Sequence, residues 1–302
     1  MPSKRRLRWV ALPIGSAAAI LLAGCTPTQL HGFLPGFADP SAPPATNRTD
    51  MVAGMWTNSW IVLLIVGLVT WGLMLWAMVT YRRRKGQTGL PVQLRYNMPI
   101  EIFYTVIPLM LVAGMFSFTA RDMAIIETVD HNPDVSVVAI GKQWSWDFQY
   151  NGKAADNSDA VWTMGVQAEP DKNGNVDQEA LPTLVLPVNE SVRIDLESRD
   201  VVHSFWIIDF LYKKDLYIGH DNSWSFTPTR EGTYQGKCAE LCGEYHSSML
   251  FRVKVVSAGE YQQYLTQLRD KGDTGDITGA YSRLGNEPGT GVPNTAGNEG
   301  DN

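Results

Sequence analysis

The chain has 302 residues and a formal net charge of −6, which argues against nucleic acid as a partner and suits a basic protein docking on an acidic face. Its length fits one domain of ordinary size plus membrane segments better than two full domains. Mean hydropathy is near neutral because strongly apolar and strongly polar stretches average out.

In chain order, Lys4, Arg5, Arg6 and Arg8 precede an apolar run over residues 9–22, the pattern of a secretory signal. The run closes on Leu22-Ala23-Gly24-Cys25, which resembles the bacterial lipobox. On that reading residues 1–24 are a lipoprotein signal peptide, and Cys25 becomes the lipid-bearing mature N-terminus. An uncleaved membrane segment with an idle cysteine is the competing reading. Residues 25–55 carry Pro27, Pro35, Pro40, Pro43 and Pro44 and read as an extended extracytoplasmic linker.

Residues 56–121 are expected to form a transmembrane hairpin, with helices over about 60–80 and 102–120. Both stretches are apolar on all faces, so they belong in lipid or deep inside a larger complex. Arg82, Arg83, Arg84, Lys85 and Arg95 lie between them, which places the connecting loop in the cytoplasm and both outer ends outside. Trp56, Trp60 and Tyr81 fall where interfacial anchors are expected. Pro108 removes one ladder hydrogen bond from the second helix. Glu101 at its cytoplasmic end has two readings: an acid favoured by the helix macrodipole, or a membrane-edge ionisable group marking an ion or proton path.

From residue 122 the period becomes strand-like. Val135, Val137 and Ala139 alternate with their neighbours, and so do Trp144, Trp146, Phe148 and Tyr150. Val192, Ile194 and Leu196, then Trp224 and Phe226, then Phe251, Val253 and Val255 complete an all-β sandwich or barrel. The polar segment 151–182 reads as a surface excursion. Residues 258–270 have a helical pattern, closing a domain over 122–270, and 271–302 lack the apolar residues needed for a core and read as a disordered tail.

The chemistry concentrates in one line, Cys238-Ala-Glu240-Leu-Cys242-Gly-Glu-Tyr-His246-Ser-Ser-Met249, with His203 before an aromatic-rich stretch. Thiolate, imidazole and thioether together select copper over magnesium or calcium. Two thiolates at this spacing can bridge a pair of coppers, with one His for each and Met249 and the Glu240 carbonyl as weak outer ligands. The same cysteines could form a disulfide, and a Cys2His2 set could hold structural zinc. His31 and His131 carry no signal.

That line resembles subunit II of the haem–copper cytochrome c oxidases, whose CuA site carries this pattern, and the likeness runs from about Met51 to about Asp270. It includes His203-Ser-Phe-Trp206 and Gly141-Lys-Gln-Trp144-Ser-Trp146. The resemblance implies an α+β membrane protein, a two-helix transmembrane hairpin followed by an all-β cupredoxin-like Greek-key barrel. It implies that Cys238 and Cys242 bridge a dinuclear copper centre, that His203 and His246 are terminal ligands, and that Met249 and the Glu240 carbonyl complete the set. The side chain at Glu240 serves a magnesium or manganese ion at the contact with subunit I. Trp144 matches the tryptophan through which electrons pass into the site. Glu101, seven residues before Pro108, matches a glutamate at the mouth of the K proton pathway. The chain departs from the family at His220, read as a surface or interface residue, at Ser145, and at Arg199, where an acid is common.

The expected role follows: an electron-accepting subunit of a bacterial plasma-membrane oxidase, taking electrons from a soluble or membrane-tethered cytochrome c, within a supercomplex in the tethered case. Electrons pass to haem in subunit I for reduction of dioxygen coupled to proton translocation, with no independent catalysis on this chain. A quinol oxidase subunit, a freestanding copper lipoprotein and a disulfide-held ectodomain are alternatives. The intact six-residue set, the two membrane helices, and His203 with His246 and Met249 count respectively against them.

Overall fold

The computed structural model describes residues 43–90, 93–151, 159–172, 176–220 and 222–277. Cys25, the signal segment, residues 25–42 of the linker and the tail beyond Ile277 lie outside the described residues. The chain divides into two compact units, one containing the apolar helical stretches and one containing the β-structure.

Helix α1 spans Thr49–Thr80 and α2 spans Met98–Ile126. Both are long and apolar enough to cross a membrane. Their large side chains lie open on all faces, Leu68 at 74% and Val79 at 76% among them, so no polar face exists to meet water. Both helices run past the apolar stretches that betray them in sequence, and polar groups cap the start of α2. At α2 the Asn97 N–H donates to Glu101 Oε1 at 2.8 Å, and Ile100 N–H donates to Asn97 Oδ1 at 3.4 Å. This reciprocal pair satisfies donors that a first turn leaves without helical partners. Pro99 sits in that turn, where its missing N–H costs nothing.

Among the described residues, ten strands make two five-stranded sheets. They are β1 (Val135–Lys142), β2 (Ser145–Tyr150), β3 (Val161–Met164), β4 (Thr183–Pro187), β5 (Val192–Ser198), β6 (His203–Ile207), β7 (Tyr212–Leu216), β8 (Asn222–Phe226), β9 (Gly232–Cys238) and β10 (Leu250–Val256). One sheet runs β3-β2-β1-β5-β8 and the other β4-β10-β9-β6-β7. The pairs β1–β5 and β4–β10 are parallel, and every other ladder is antiparallel. The expected barrel thus takes the form of two facing sheets. Among its described residues the excursion 151–182 holds one strand, β3, which its polar flanks conceal.

The core between the sheets is aromatic. Trp146, Phe205 and Phe251 meet with ring centroids 4.7–5.4 Å apart, Phe205 stacked flat on Phe251 at 12°. Each such contact contributes about 0.5–1.5 kcal/mol beyond area burial. Gly236 faces the Phe251 ring, where any side chain would strike it.

Strand β2 is buried on both faces. Trp146, Phe148 and Tyr150 enter the core, while Ser145, Asp147 and Gln149 face the other way, where Gln149 meets the chain that follows helix α3 (Ala258–Lys271). That stretch, expected to be part of a tail starting at 271, joins the domain as far as Ile277. Trp162 N–H donates to Asp273 O, Gly275 N–H to Ala160 O, and Ile277 N–H to Gln149 Oε1 at 2.6 Å. The single side chain of Ile277 packs with Val138, Ile140, Trp162 and Met164. Asp147 has no exposed surface, and it survives there because Lys142 and Arg199 approach at 2.9 and 3.4 Å and Gly165 N–H donates to it.

Candidate metal centre

The site is built where β6, β9 and β10 end together. Phe205 pairs with Cys238 across β6 and β9, so His203 at the start of β6 comes beside Cys238 at the end of β9. Cys238 N–H donates to Met249 O at 2.9 Å and Ala239 N–H to Ser204 O at 3.0 Å, which closes the base of the loop 239–249. A 3-10 turn, His246–Ser248, then returns the chain to β10.

Four donor atoms converge on two sulfurs. The Cys238 and Cys242 sulfurs are 3.9 Å apart and both thiols are free, far from the roughly 2.05 Å of a disulfide. His203 Nδ1 lies 3.9 Å from the Cys238 sulfur, and His246 Nδ1 lies 3.5 Å from that of Cys242. Met249 Sδ is 3.7 Å from the Cys242 sulfur, and the Glu240 carbonyl is 3.2 Å from that of Cys238. The ligand atoms of His203, Cys238 and Cys242 all fall within 4.8 Å of one another. Each sulfur thus has its own imidazole and its own weak donor. Thiolate and thioether in one set suit copper, and the residues present fit it.

Around these atoms the protein supplies orientation. His203 is fully buried, with Nε2 2.8 Å from Asp200 Oδ1. That contact fixes which ring nitrogen is protonated and turns Nδ1 toward sulfur. Asp200 also accepts from the Gln143 and Val201 backbone N–H groups at 2.6 and 2.7 Å. Burial alone would raise its carboxyl, but these donors and His203 hold it below its ordinary value. Burial likewise works against the charged form of His203, and Asp200 and Cys238 more than offset it, so its pKa is raised. Gly141 on β1 leaves room for the imidazole, since a Cβ there would stand 2.9 Å from His203 Cδ2.

The two thiols titrate as a pair. The hydrogen bond from Cys242 holds Cys238 well below the usual thiol range against the opposing effect of burial, with His203 and nearby backbone helping. Cys242 is pushed up, first by its bond to Cys238 and then by burial. A metal that binds both sulfurs displaces the protons they carry.

Trp144 stands in the turn from β1 to β2 and touches the same loop. Its indole N–H donates to the Cys242 carbonyl at 3.2 Å, and the Gln143 side chain donates to the same oxygen at 2.8 Å. The Glu240 side chain is exposed, and Glu101 makes only its helix-cap contact among the bonds described above. His220 is exposed beside Tyr217, and His131 is exposed; neither belongs to the cluster. Arg199 pairs with buried Asp147. Sequence reasoning missed Asp200, Gln143, Gly243 and Tyr245. Asp200 had a signal, an acid three residues before a ligand histidine, of the kind such ligands need for their second nitrogen.

The family model described as cytochrome c oxidase subunit II, periplasmic domain, matches residues 135–256. A probable cytochrome c oxidase subunit 2 of Streptomyces avermitilis is 41% identical over 291 residues, covering 89% of this chain and 90% of its own length. The cytochrome c oxidase subunit 2 of Corynebacterium glutamicum is 28% identical over 331 residues, covering 95% and 92%. Among solved structures, the periplasmic domain of subunit II of cytochrome oxidase of Bradyrhizobium japonicum is 29% identical, with a TM-score of 0.40, and covers 48% of this chain and 99% of that one.

Proposed function

Because this chain belongs to the cytochrome c oxidase subunit II family, we propose that it takes up electrons from a cytochrome c at a dinuclear copper centre held by His203, Cys238, Glu240, Cys242, His246 and Met249. The observation that carries this reading is the pair of free thiols, each with one imidazole Nδ1 and one weak donor beside it. A copper pair held by these residues would supply one-electron chemistry, taking up an electron and passing it on.

The protein's own groups do the rest. Asp200 holds His203, the strand ends hold the cysteines, and the aromatic core beneath keeps water out of the sulfurs' inner side. Trp144 lies between the loop and the surface, so it is the group through which the electron arrives. Exchanging Trp144 for serine in the assembled oxidase should slow reduction by the donor while copper content stays unchanged. An unaltered rate would reduce Trp144 to a core residue.

The remaining assignments follow the resemblance. Residues 1–24 are a signal peptide and Cys25 carries a lipid; mass spectrometry finding an intact Met1 or an unmodified Cys25 would refute this. The chain sits in a bacterial plasma membrane as a lipid-anchored two-span protein with the copper domain outside. Removing the lipid should leave it in the membrane, since two helices anchor more strongly than acyl chains. The Glu240 carboxylate takes part in a magnesium or manganese site facing subunit I, so Glu240→Ala should release that ion and leave copper in place. Glu101 stands at the mouth of a proton path: Glu101→Ala should slow turnover without affecting electron uptake, and full turnover would leave it a helix cap. The donor is a tethered cytochrome within a supercomplex if that cytochrome copurifies with the oxidase, and a soluble one if it does not.

A further inference from the structure

We infer that Tyr245 is the positioning residue that holds Trp144 in place for electron uptake, an inference resting on the role given to Trp144 above. Trp144 is only half-buried, so an indole in the turn between β1 and β2 has room to swing unless something fixes it. Three groups do so, and all three come from the metal loop. The Cys242 carbonyl accepts the indole N–H. Gly243, at φ +127°, has no side chain where a Cβ would stand 3.0 Å from Trp144 Cζ2 and 3.1 Å from its Nε1, so the ring can lie against the loop backbone. Tyr245 meets the ring at 4.9 Å between centroids with planes at 67°, an edge-to-face contact.

Among the described residues Tyr245 is the one aromatic ring packed against Trp144. The neighbouring Ser145 cannot take that part, because it is buried and its hydroxyl is turned to the Val166 carbonyl at 2.9 Å. Tyr245 is 39% exposed, so it forms the solvent-side wall of the indole and part of the surface that a donor meets. Its backbone serves the ligands separately: Ser248 N–H donates to Tyr245 O at 2.9 Å in the turn that carries His246. Side chain and backbone at residue 245 therefore have separable duties. One fixes the indole and the other places the copper ligand.

The step balances as a single electron transfer. The donor's reduced haem loses one electron, the copper centre gains one, and the rings of Trp144 and Tyr245 end as they began, with no proton moved. Tyr245 acts through geometry, since loss of an aromatic pair contact lowers the population of the held indole by about two- to tenfold.

The test uses the assembled oxidase with its natural donor, comparing Tyr245→Ser, Tyr245→Phe and Trp144→Ser. Tyr245→Ser should lower the limiting reduction rate at saturating donor by about two- to tenfold. Copper content and the copper resonance should not move. Tyr245→Phe should restore the rate, because the ring and not the hydroxyl is required. A full rate in Tyr245→Ser, a phenylalanine variant as slow as the serine one, or a change in KM alone would overturn the inference. A full rate in Trp144→Ser would instead sink the role of Trp144 itself, so the two failures are told apart.

Discussion

Gly243→Ala puts a single methyl group where the metal loop and the indole are closest. The backbone at 243 has φ +127°, a conformation that costs a residue with a side chain about 1–3 kcal/mol. The added Cβ would also lie 3.0 Å from Trp144 Cζ2 and 3.1 Å from both Gln143 Nε2 and Trp144 Nε1. Relief requires the indole to move, which gives up its bond to the Cys242 carbonyl, about 1 kcal/mol. It also gives up the Tyr245 contact, about 1 kcal/mol. The expected loss is thus about 3–5 kcal/mol. Gly219→Ala is the matched control, with φ +69° and nothing within 4 Å of its Cβ, so strain alone should cost it about 1 kcal/mol. Denaturant unfolding of the purified chain, with donor reduction kinetics in parallel, separates the two. If Gly243→Ala cost no more than Gly219→Ala and reduced at the normal rate, the packing argument at Trp144 would be refuted.

Cys242→Ser should abolish the dinuclear site, whereas Met249→Leu should retain copper and shift its potential, because the thioether tunes the metal more than it holds it. Equal copper loss in both variants would show that the ligand hierarchy is misjudged. The carboxyl of Glu127 is lowered from its ordinary 4.5: burial raises it, but Lys214 and Tyr212 bind the ionised form and prevail. Its stabilising effect is therefore fully present above pH 4.5 and fades as pH falls through the lowered value. Glu127→Gln should flatten that part of the acid limb of a stability–pH curve; an unchanged limb would mean the contact adds nothing.

The candidate metal loop is conspicuous in sequence because its chemistry is local: five of the six proposed ligand residues lie within twelve positions, and their types alone indicate a soft metal. The helices were legible from apolar length, and strands β1, β2, β5, β8 and β10 from alternation. Strand β3 was hidden because only Val161 and its short run stand between polar loops, and it is held by ladder bonds to β2. Strand β7, Tyr-Lys-Lys-Asp-Leu, carries two cations in succession; its place at the sheet edge lets Lys213 reach over the ring of Trp206 at 5.8 Å. Asp147 looks like a surface acid until β1 brings Lys142 to it and the bend after β5 brings Arg199. Ile277 looked like part of a solvated tail because one apolar residue forms no pattern, and only the folded sheet supplies the hollow that buries it. Tyr245 likewise has meaning only once the loop returns to the turn holding Trp144.

The central claim is that the two cysteines share a pair of copper ions from which electrons pass on. Electron paramagnetic resonance of the oxidised, copper-loaded protein, with copper counted per chain, tests it most directly. Two coppers and a spectrum of one unpaired electron spread equally over both nuclei are expected. A four-line spectrum from a single copper, or a stable Cys238–Cys242 disulfide that takes up no metal, would contradict it.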